Sequence, residues 1–296
     1  MAALLDPLAS DAFPPAPGGW RRFWRSLLRN PAGVIGLVLV LGVLLLALLA
    51  PLIAPFDPLQ MGAGKRLLPP GGRYWFGTDE FGRDLFSRVA HGSRLTLRIG
   101  VIAVAISLAC GLLIGLLAGY AGGWTERILM RAIDVLFSFT EILIALACVA
   151  ILGPSLANAT LAVGIAAIPF YARLTHSVVL VEKHKLYFEA GQAVAASHLR
   201  LLFRHLLPNV LPALIVVATL GVSTAVLAAA GLSFLGLGAQ PPLPEWGFML
   251  SSGRDLFKRA PWIMIFPGAA IAVTVLGFNL LGDAIREALD PRQYKA

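Results

Sequence analysis

Long uncharged apolar segments alternate with short polar ones along this sequence. Residues 32–54 and 99–121 are each uncharged for 23 residues, about 34 Å of helix, which exceeds the roughly 30 Å of a bilayer core. Four further apolar runs lie at 133–153, 156–172, 210–238 and 261–282. The pattern predicts an all-α, polytopic membrane protein with six transmembrane helices.

The distribution of basic residues predicts the orientation. Arginines crowd the start of the first run, at Arg21, Arg22, Arg25 and Arg29, and no basic residue follows that run until Lys65. Because lysine and arginine favour cytoplasmic loops, the N-terminus is expected in the cytoplasm, and six spans place the C-terminus there too. The predicted divisions are a cytoplasmic tail (1–30), a first transmembrane helix (31–54), an external loop (55–98), a five-helix core (99–283) containing a cytoplasmic loop (173–208), and a cytoplasmic C-terminal tail (284–296).

Composition narrows the class of protein. Only 14% of the 296 residues are charged, and both cysteines, Cys110 and Cys148, lie inside apolar runs, so a soluble enzyme and a disulfide scaffold are excluded. The net charge of +8 comes from basic residues between apolar runs, a pattern that fits anionic lipid rather than nucleic acid. The sequence also lacks the Gly-x4-Gly-Lys-Ser/Thr phosphate loop, so ATP binding of that kind is not expected in this chain.

The cytoplasmic loop is the most informative segment. Two short helices fit residues 187–209, with Ser197 as the N-cap of the second and Pro208 changing the chain direction before the fifth span. Such a segment fits two roles: a helix that docks in a groove of a partner protein, or an amphipathic connector on the lipid surface.

This loop resembles the Glu-Ala-Ala-x3-Gly-x9-Ile-x-Leu-Pro segment of ATP-binding-cassette (ABC) importer permeases. Gly191, Ala195 and His205 replace the second Ala, the Gly and the Ile of that pattern, and Ala195 matters most because Gly permits a bend that Ala resists. In that family the loop is a coupling helix seated on the ATPase subunit. The resemblance implies an ATPase-coupling loop that contains Glu189, Ala190, Gly191, Ala195, Ser197, Arg204, Leu207 and Pro208.

Further segments resemble the peptide/nickel branch of these permeases. Two of them are residues 230–247 and the C-terminal Gly282-Asp283 pair. Trp246, in the first of these, and Trp262 are expected in the aromatic belt at the membrane interface. A third segment, in the predicted external loop, is here called the external motif and comprises Gly77, Thr78, Asp79, Gly82, Arg83 and Asp84.

The charged side chains of this external motif, together with Arg88, are expected to form exposed ion pairs on a short surface helix. A packed cap over the pore and direct contact with substrate both fit that arrangement.

Ionisable residues at membrane depth are the remaining candidates. Asp134 and Glu141 are seven apart and are expected to share one face of a helix, with Asp134 paired to Arg131 as an anchor. Glu141 is a candidate for lining the transport pathway, where it attracts the ammonium group of a peptide, or for pairing with a neighbouring subunit. Arg173 is expected to anchor the fourth span, and the histidines of the cytoplasmic loop are not expected to bind metal.

Together, the resemblance implies a type I ABC importer permease in a bacterial inner membrane, a transport subunit and not an enzyme. It implies import of di- or oligopeptides, with this chain forming half of the pathway. The implied partners are a homologous second permease, two cytoplasmic ATPases that bind ATP and Mg²⁺, an extracytoplasmic substrate-binding protein and membrane lipid. Alternatives are a nickel or glutathione permease, or an ion-coupled carrier without ATPases in which Glu141 titrates.

Overall fold

The computed structural model describes residues 19–289, and in this part of the chain the regular structure is helical. The predicted all-α class is confirmed. The helices are α1 (Gly19–Arg29), α2 (Pro31–Ile53), α3 (Leu85–Ala121), α4 (Gly123–Phe137), α5 (Glu141–Leu152), α6 (Leu156–Lys183), α7 (Leu186–Ala193), α8 (His198–Arg200), a π-helical segment (Leu201–Leu206), α9 (Leu207–Phe234), α10 (Trp246–Gly253), a 3₁₀ turn (Arg254–Leu256) and α11 (Trp262–Leu289).

Five helical segments are long and apolar enough to cross a membrane, and a sixth span exists if α4 and α5 are counted as one bent span. These two helices meet at 90°. The break lies at 138–140, where Thr140 has extended backbone angles (φ −67°, ψ 142°) and Glu141 starts a new helix. The prediction that Asp134 and Glu141 share one helix face is therefore wrong, because they lie on different helices.

Helices extend into two segments that were predicted as loops. The Asp84 carboxylate caps α3 by accepting from the Ser87 backbone N–H (2.8 Å) and the Ser87 hydroxyl (2.6 Å), so residues 85–98, predicted as loop, are helical. On the other side of the molecule, α6 continues to Lys183 through residues predicted as cytoplasmic loop.

Small residues bring the helix axes close together. A Cβ atom added to Gly115 of α3 would lie 2.4 Å from the Ala172 carbonyl oxygen of α6. One added to Gly36 of α2 would lie 2.5 Å from the Leu281 nitrogen of α11. Close backbone approach of this kind is the usual basis of helix association in membranes, where lipid is as apolar as the side chains.

The two tryptophans predicted for an interfacial belt have other roles. Trp246 is fully buried, and its indole N–H donates to the Val89 carbonyl of α3 (3.0 Å), so its assignment to the belt was wrong. Trp262 is partly buried and donates to the Thr78 carbonyl (3.2 Å). Both side chains therefore tie the connection between α9 and α11 to the segment around the start of α3.

Candidate functional site

The first candidate is the segment predicted as a cytoplasmic coupling loop, residues 185–209, here called the coupling segment. It contains α7, a four-residue turn, α8 and the π-helical segment, and it runs into α9 without a break, so that His198–Phe234 forms one helical path. Pro208, where the sequence predicted a change of chain direction before the fifth span, lies inside this continuous helical path. The wider π turn, in which the Leu207 N–H donates to the Leu202 carbonyl, accommodates the proline by shifting the hydrogen-bond register before it.

The turn after α7 is a Schellman motif with alanine at the left-handed position. The Ala196 N–H donates to the Gly191 carbonyl (3.2 Å) and the Ala195 N–H to the Gln192 carbonyl (2.9 Å), while Ala195 has φ +54°. Ala195 is the residue that replaces the family's glycine, and it adopts the conformation that glycine favours. The substitution keeps the turn but gives it a strained residue.

Replacing Ala195 with glycine is expected to stabilise this turn by about 1 kcal/mol, since glycine has no Cβ to oppose a positive φ. Hydrogen exchange of the Ala196 amide should slow by about fivefold. The control is Ala190→Gly, which makes the same change inside α7 and should speed exchange. Equal effects of both variants would contradict the strained turn.

The inner face of the coupling segment is packed against the transmembrane helices. Phe188 is 1% exposed, Leu201 is 3% exposed and Leu206 is fully buried, in a cluster with side chains of α3, α6 and α9. Gly191 leaves room for this packing, because a Cβ there would lie 2.9 Å from Leu201 Cδ2.

The outer face of the coupling segment is apolar and uncovered by the described chain. Leu186 is 82% exposed, Val194 78% and Leu199 69%. Glu189 and Ala190 are exposed between them. Clustered exposed apolar residues of this kind mark a contact surface for a protein partner or for lipid. The other predicted members are an exposed Ser197, whose side chain makes no cap hydrogen bond, an exposed Arg204 and a partly buried Leu207.

Polar contacts that the sequence did not reveal fasten this segment to α3 and α6. The buried Glu182 accepts from the Tyr187 hydroxyl (2.7 Å) and from Lys185 Nζ (2.5 Å). Burial, with the Glu182 hydrogen bond and charge, raises the pKa of Tyr187 to about 12, so this tyrosine stays a neutral donor. At the end of α3, the Tyr120 hydroxyl lies 2.5 Å from His198 Nδ1 of the coupling segment. The segment is therefore held rigidly to its own bundle.

A cavity of about 410 Å³ lies between the transmembrane helices. Glu141, at the start of α5, lines it together with Tyr171 of α6, Thr224 of α9, and Asn279 and Asp283 of α11. Tyr171 and Asn279 were not among the predicted site residues, although polar side chains inside apolar runs are a signal that could have identified them. The structure thus places Glu141 in a largely apolar cavity that carries a few polar side chains and is shared by α3, α5, α6, α9 and α11.

Asp134 lies apart from this cavity and has a different partner from the one predicted. Its Oδ1 lies 2.5 Å from Arg173 Nη2, so Asp134 pairs with Arg173 and not with Arg131. This ion pair joins α4 to α6. The Arg173 guanidinium also lies 4.1 Å from the centre of the Phe137 ring. These contacts hold the end of α4 beside α6 at the 90° bend.

The external motif forms a tight loop within a cap made of residues 54–84. Gly77 and Gly82 have φ values of +81° and +72°, and a Cβ on either would lie 2.4 Å from a carbonyl oxygen. The buried Thr78 side chain donates to the Lys65 carbonyl (2.6 Å) and accepts from the Leu68 N–H (2.8 Å). The motif thereby closes the cap onto the start of α3.

The charged residues of this motif are buried, which overturns the prediction of exposed pairs on a short helix. Asp79 Oδ2 lies 2.5 Å from Arg83 Nε and 3.6 Å from Arg88 Nε, and these side chains are 2–6% exposed. Asp84 serves as the cap of α3. The folding of residues 54–84 over α3 removes these groups from water, which the local sequence could not indicate.

Comparisons with known proteins agree with this architecture. Residues 111–295 match the family model described as "Binding-protein-dependent transport system inner membrane component", and residues 19–70 match "N-terminal TM domain of oligopeptide transport permease C".

Curated relatives are similar over most of their length. The dipeptide transport system permease protein DppC of Alkalihalophilus pseudofirmus is 44% identical over 92% of this chain and 90% of its own. The di/tripeptide permease DppC of Pseudomonas aeruginosa is 45% identical over 99% and 98%. The glutathione transport permease GsiD of Escherichia coli O157:H7 is 45% identical over 92% and 90%.

A solved inward-facing structure of the MetNI methionine ABC transporter matches with a TM-score of 0.57 and 21% identity, over 69% of this chain and 97% of that chain. The fold predicted for a type I importer permease is therefore confirmed. The chain belongs to the binding-protein-dependent transport system inner membrane component family and is a permease subunit of an ABC importer, a transport subunit rather than an enzyme.

Proposed function

We propose that this chain imports di- or oligopeptides across a bacterial inner membrane, as one of two homologous permeases that enclose the pathway. The support is the similarity to relatives named for dipeptide, di/tripeptide and glutathione transport, since glutathione is itself a tripeptide. In this proposal both termini are cytoplasmic, the coupling segment faces the cytoplasm and the cap faces the opposite side.

The observation that carries the mechanism is the unbroken helical path from the coupling segment into the bundle. The path His198–Phe234 begins beside the exposed outer face and carries Gly221 and Thr224, which line the transmembrane cavity. Two cytoplasmic ATPases, which hold ATP and Mg²⁺, seat on the outer face formed around Glu189 and Val194. Their closure moves α9 directly, because the inner face is packed and hydrogen-bonded to the bundle.

The pathway in this proposal runs along the transmembrane cavity that Glu141 lines. Motion of α9 against α6 and α11 changes which side of the membrane the cavity opens to. The cap of residues 54–84 presents a rigid external surface to the substrate-binding protein. Its buried ion cluster maintains the shape of that surface rather than contacting substrate.

Purification of the tagged chain from its native membrane in mild detergent tests this assignment. A second permease and ATPase subunits should co-purify, and the preparation should hydrolyse MgATP. Recovery of an intact chain without an ATPase, together with proton-driven uptake in vesicles, would contradict the proposal and favour an ion-coupled carrier.

A further inference from the structure

Two acidic side chains in the transmembrane cavity have no cationic partner in the described part of the chain. Glu141 and Asp283 both line the cavity, and no lysine, arginine or histidine does. Neither carboxylate belongs to an ion pair within the described residues. An acid at membrane depth is costly to keep charged, and such residues usually face a water-filled space or a bound cation.

A buried hydroxyl gives independent evidence for a ligand at this place. Tyr171 is only 2% exposed, lines the cavity, and its hydroxyl has no hydrogen-bond partner within residues 19–289. Gly221 of α9 makes the space for it, since a Cβ there would lie 2.0 Å from the Tyr171 oxygen. A buried hydroxyl without a partner is unfavourable by about 1–3 kcal/mol, which a ligand hydrogen bond would offset.

Asn279 of α11 adds an amide to the cavity lining. Its Oδ1 accepts from the Ser223 hydroxyl (2.6 Å), which also lies 2.7 Å from the Leu220 carbonyl oxygen. In this orientation the Asn279 N–H₂ group is a donor with no acceptor within residues 19–289. The cavity therefore combines carboxylate acceptors with neutral donors. At about 410 Å³ it also falls in the range of small-ligand sites, roughly 300–1,000 Å³.

We propose that this cavity is a transient recognition site for the N-terminal ammonium group of the transported peptide. The carboxylates of Glu141 and Asp283 attract the ammonium group, and the Tyr171 hydroxyl and Asn279 amide donate to peptide carbonyl oxygens. The inference rests on the proposed function, because it takes peptides as the substrate. It adds a selectivity for cationic groups within the permease itself, separate from that of the binding protein.

The charge preference of the cavity is measurable on the full-length chain in membrane vesicles without ATP. The probe is Thr224→Cys in a chain whose native thiols are removed by Cys110→Ala and Cys148→Ala. The introduced cysteine is labelled with two methanethiosulfonate reagents, one that carries a trimethylammonium group and one that carries a sulfonate group. Each labelling rate is divided by the rate of the same reagent with free cysteine, and the two quotients are compared. The cationic reagent should be favoured, and combining Glu141→Gln with Asp283→Asn should lower that preference by about tenfold.

Asp255→Asn is the matched control, because it removes one negative charge from an exposed site that does not line the cavity. The single variants Glu141→Gln and Asp283→Asn cover the case in which the double variant is not inserted. Dialanine should slow labelling by the cationic reagent more than N-acetyl-dialanine does. An unchanged reagent ratio in the neutralised variants, or equal protection by both peptides, would overturn the site.

This assay separates the two proposals. The labelling ratio needs neither ATPases nor a binding protein. Absence of ATP-driven uptake with a normal ratio would contradict the proposed function alone. ATP-driven peptide uptake with no charge preference would contradict only the ammonium site.

Discussion

Replacing Asp79 with asparagine is expected to destabilise the external cap by about 3–5 kcal/mol, the usual effect of breaking a buried ion pair on one side. Asp79 Oδ1 accepts from the backbone N–H groups of Phe81 and Arg83 (both 2.9 Å), and asparagine keeps that oxygen. Oδ2 faces the guanidinium groups of Arg83 and Arg88, and asparagine presents an N–H₂ group to them instead. Two cations then remain buried without their counter-charge.

The measurement is limited trypsin digestion of the cap, which carries Lys65, Arg66 and Arg73, in the purified complex. Cleavage through local opening should accelerate by about a hundredfold or more, in line with that loss of stability. Asp57→Asn is the matched control, because Asp57 lies in the same cap but is exposed and uses only Oδ1, as acceptor from the Leu59 N–H (2.7 Å). Equal cleavage of the two variants would show that the ion cluster does not hold the cap.

Charge reversal at Glu189 is expected to reduce ATP-driven uptake by about tenfold or more, since a like charge placed in an interface costs several kcal/mol. Glu189 lies on the exposed outer face of the coupling segment, next to the buried Phe188 that anchors α7. Glu189→Lys should therefore leave folding and membrane insertion intact while weakening ATPase attachment. Uptake and ATPase co-purification are measured on the same membranes.

Glu189→Gln separates charge from shape. It keeps the side-chain length and removes only the negative charge, so its effect should lie between those of the wild type and the lysine variant. Wild-type uptake together with wild-type ATPase recovery in Glu189→Lys would contradict the assignment of the coupling segment.

The transmembrane helices were predictable because uncharged runs of membrane length have no stable alternative in lipid. The bend at 138–140 was not predictable, because it interrupts an apolar run at a place without proline or glycine. The Asp134–Arg173 pair joins residues 39 apart in sequence, and helical spacing pointed instead to Arg131. Spacing within a helix cannot reveal a partner on another helix.

The two short helices of the coupling segment were predictable from the sequence, whereas the contacts that hold them were not. The exposure of Glu189 on the short helix α7 could be predicted from its polar surroundings in the sequence. The Glu182–Tyr187 contact could not, because it depends on how α6 and α7 pack. The external acids and bases looked like surface charges because burial there comes from residues 54–84 folding over α3. Ala195 adopts a φ of +54°, which is typical of glycine. The turn therefore forms although alanine disfavours this backbone conformation.

Uptake by the purified complex in proteoliposomes tests the central claim most directly. With the substrate-binding protein and labelled dialanine on one side, and ATP on the ATPase side, the account predicts uptake that requires ATP. A proton gradient without ATP should give no uptake. Gradient-driven uptake by this chain alone, unaffected by removal of ATP, would contradict the importer mechanism and identify an ion-coupled carrier.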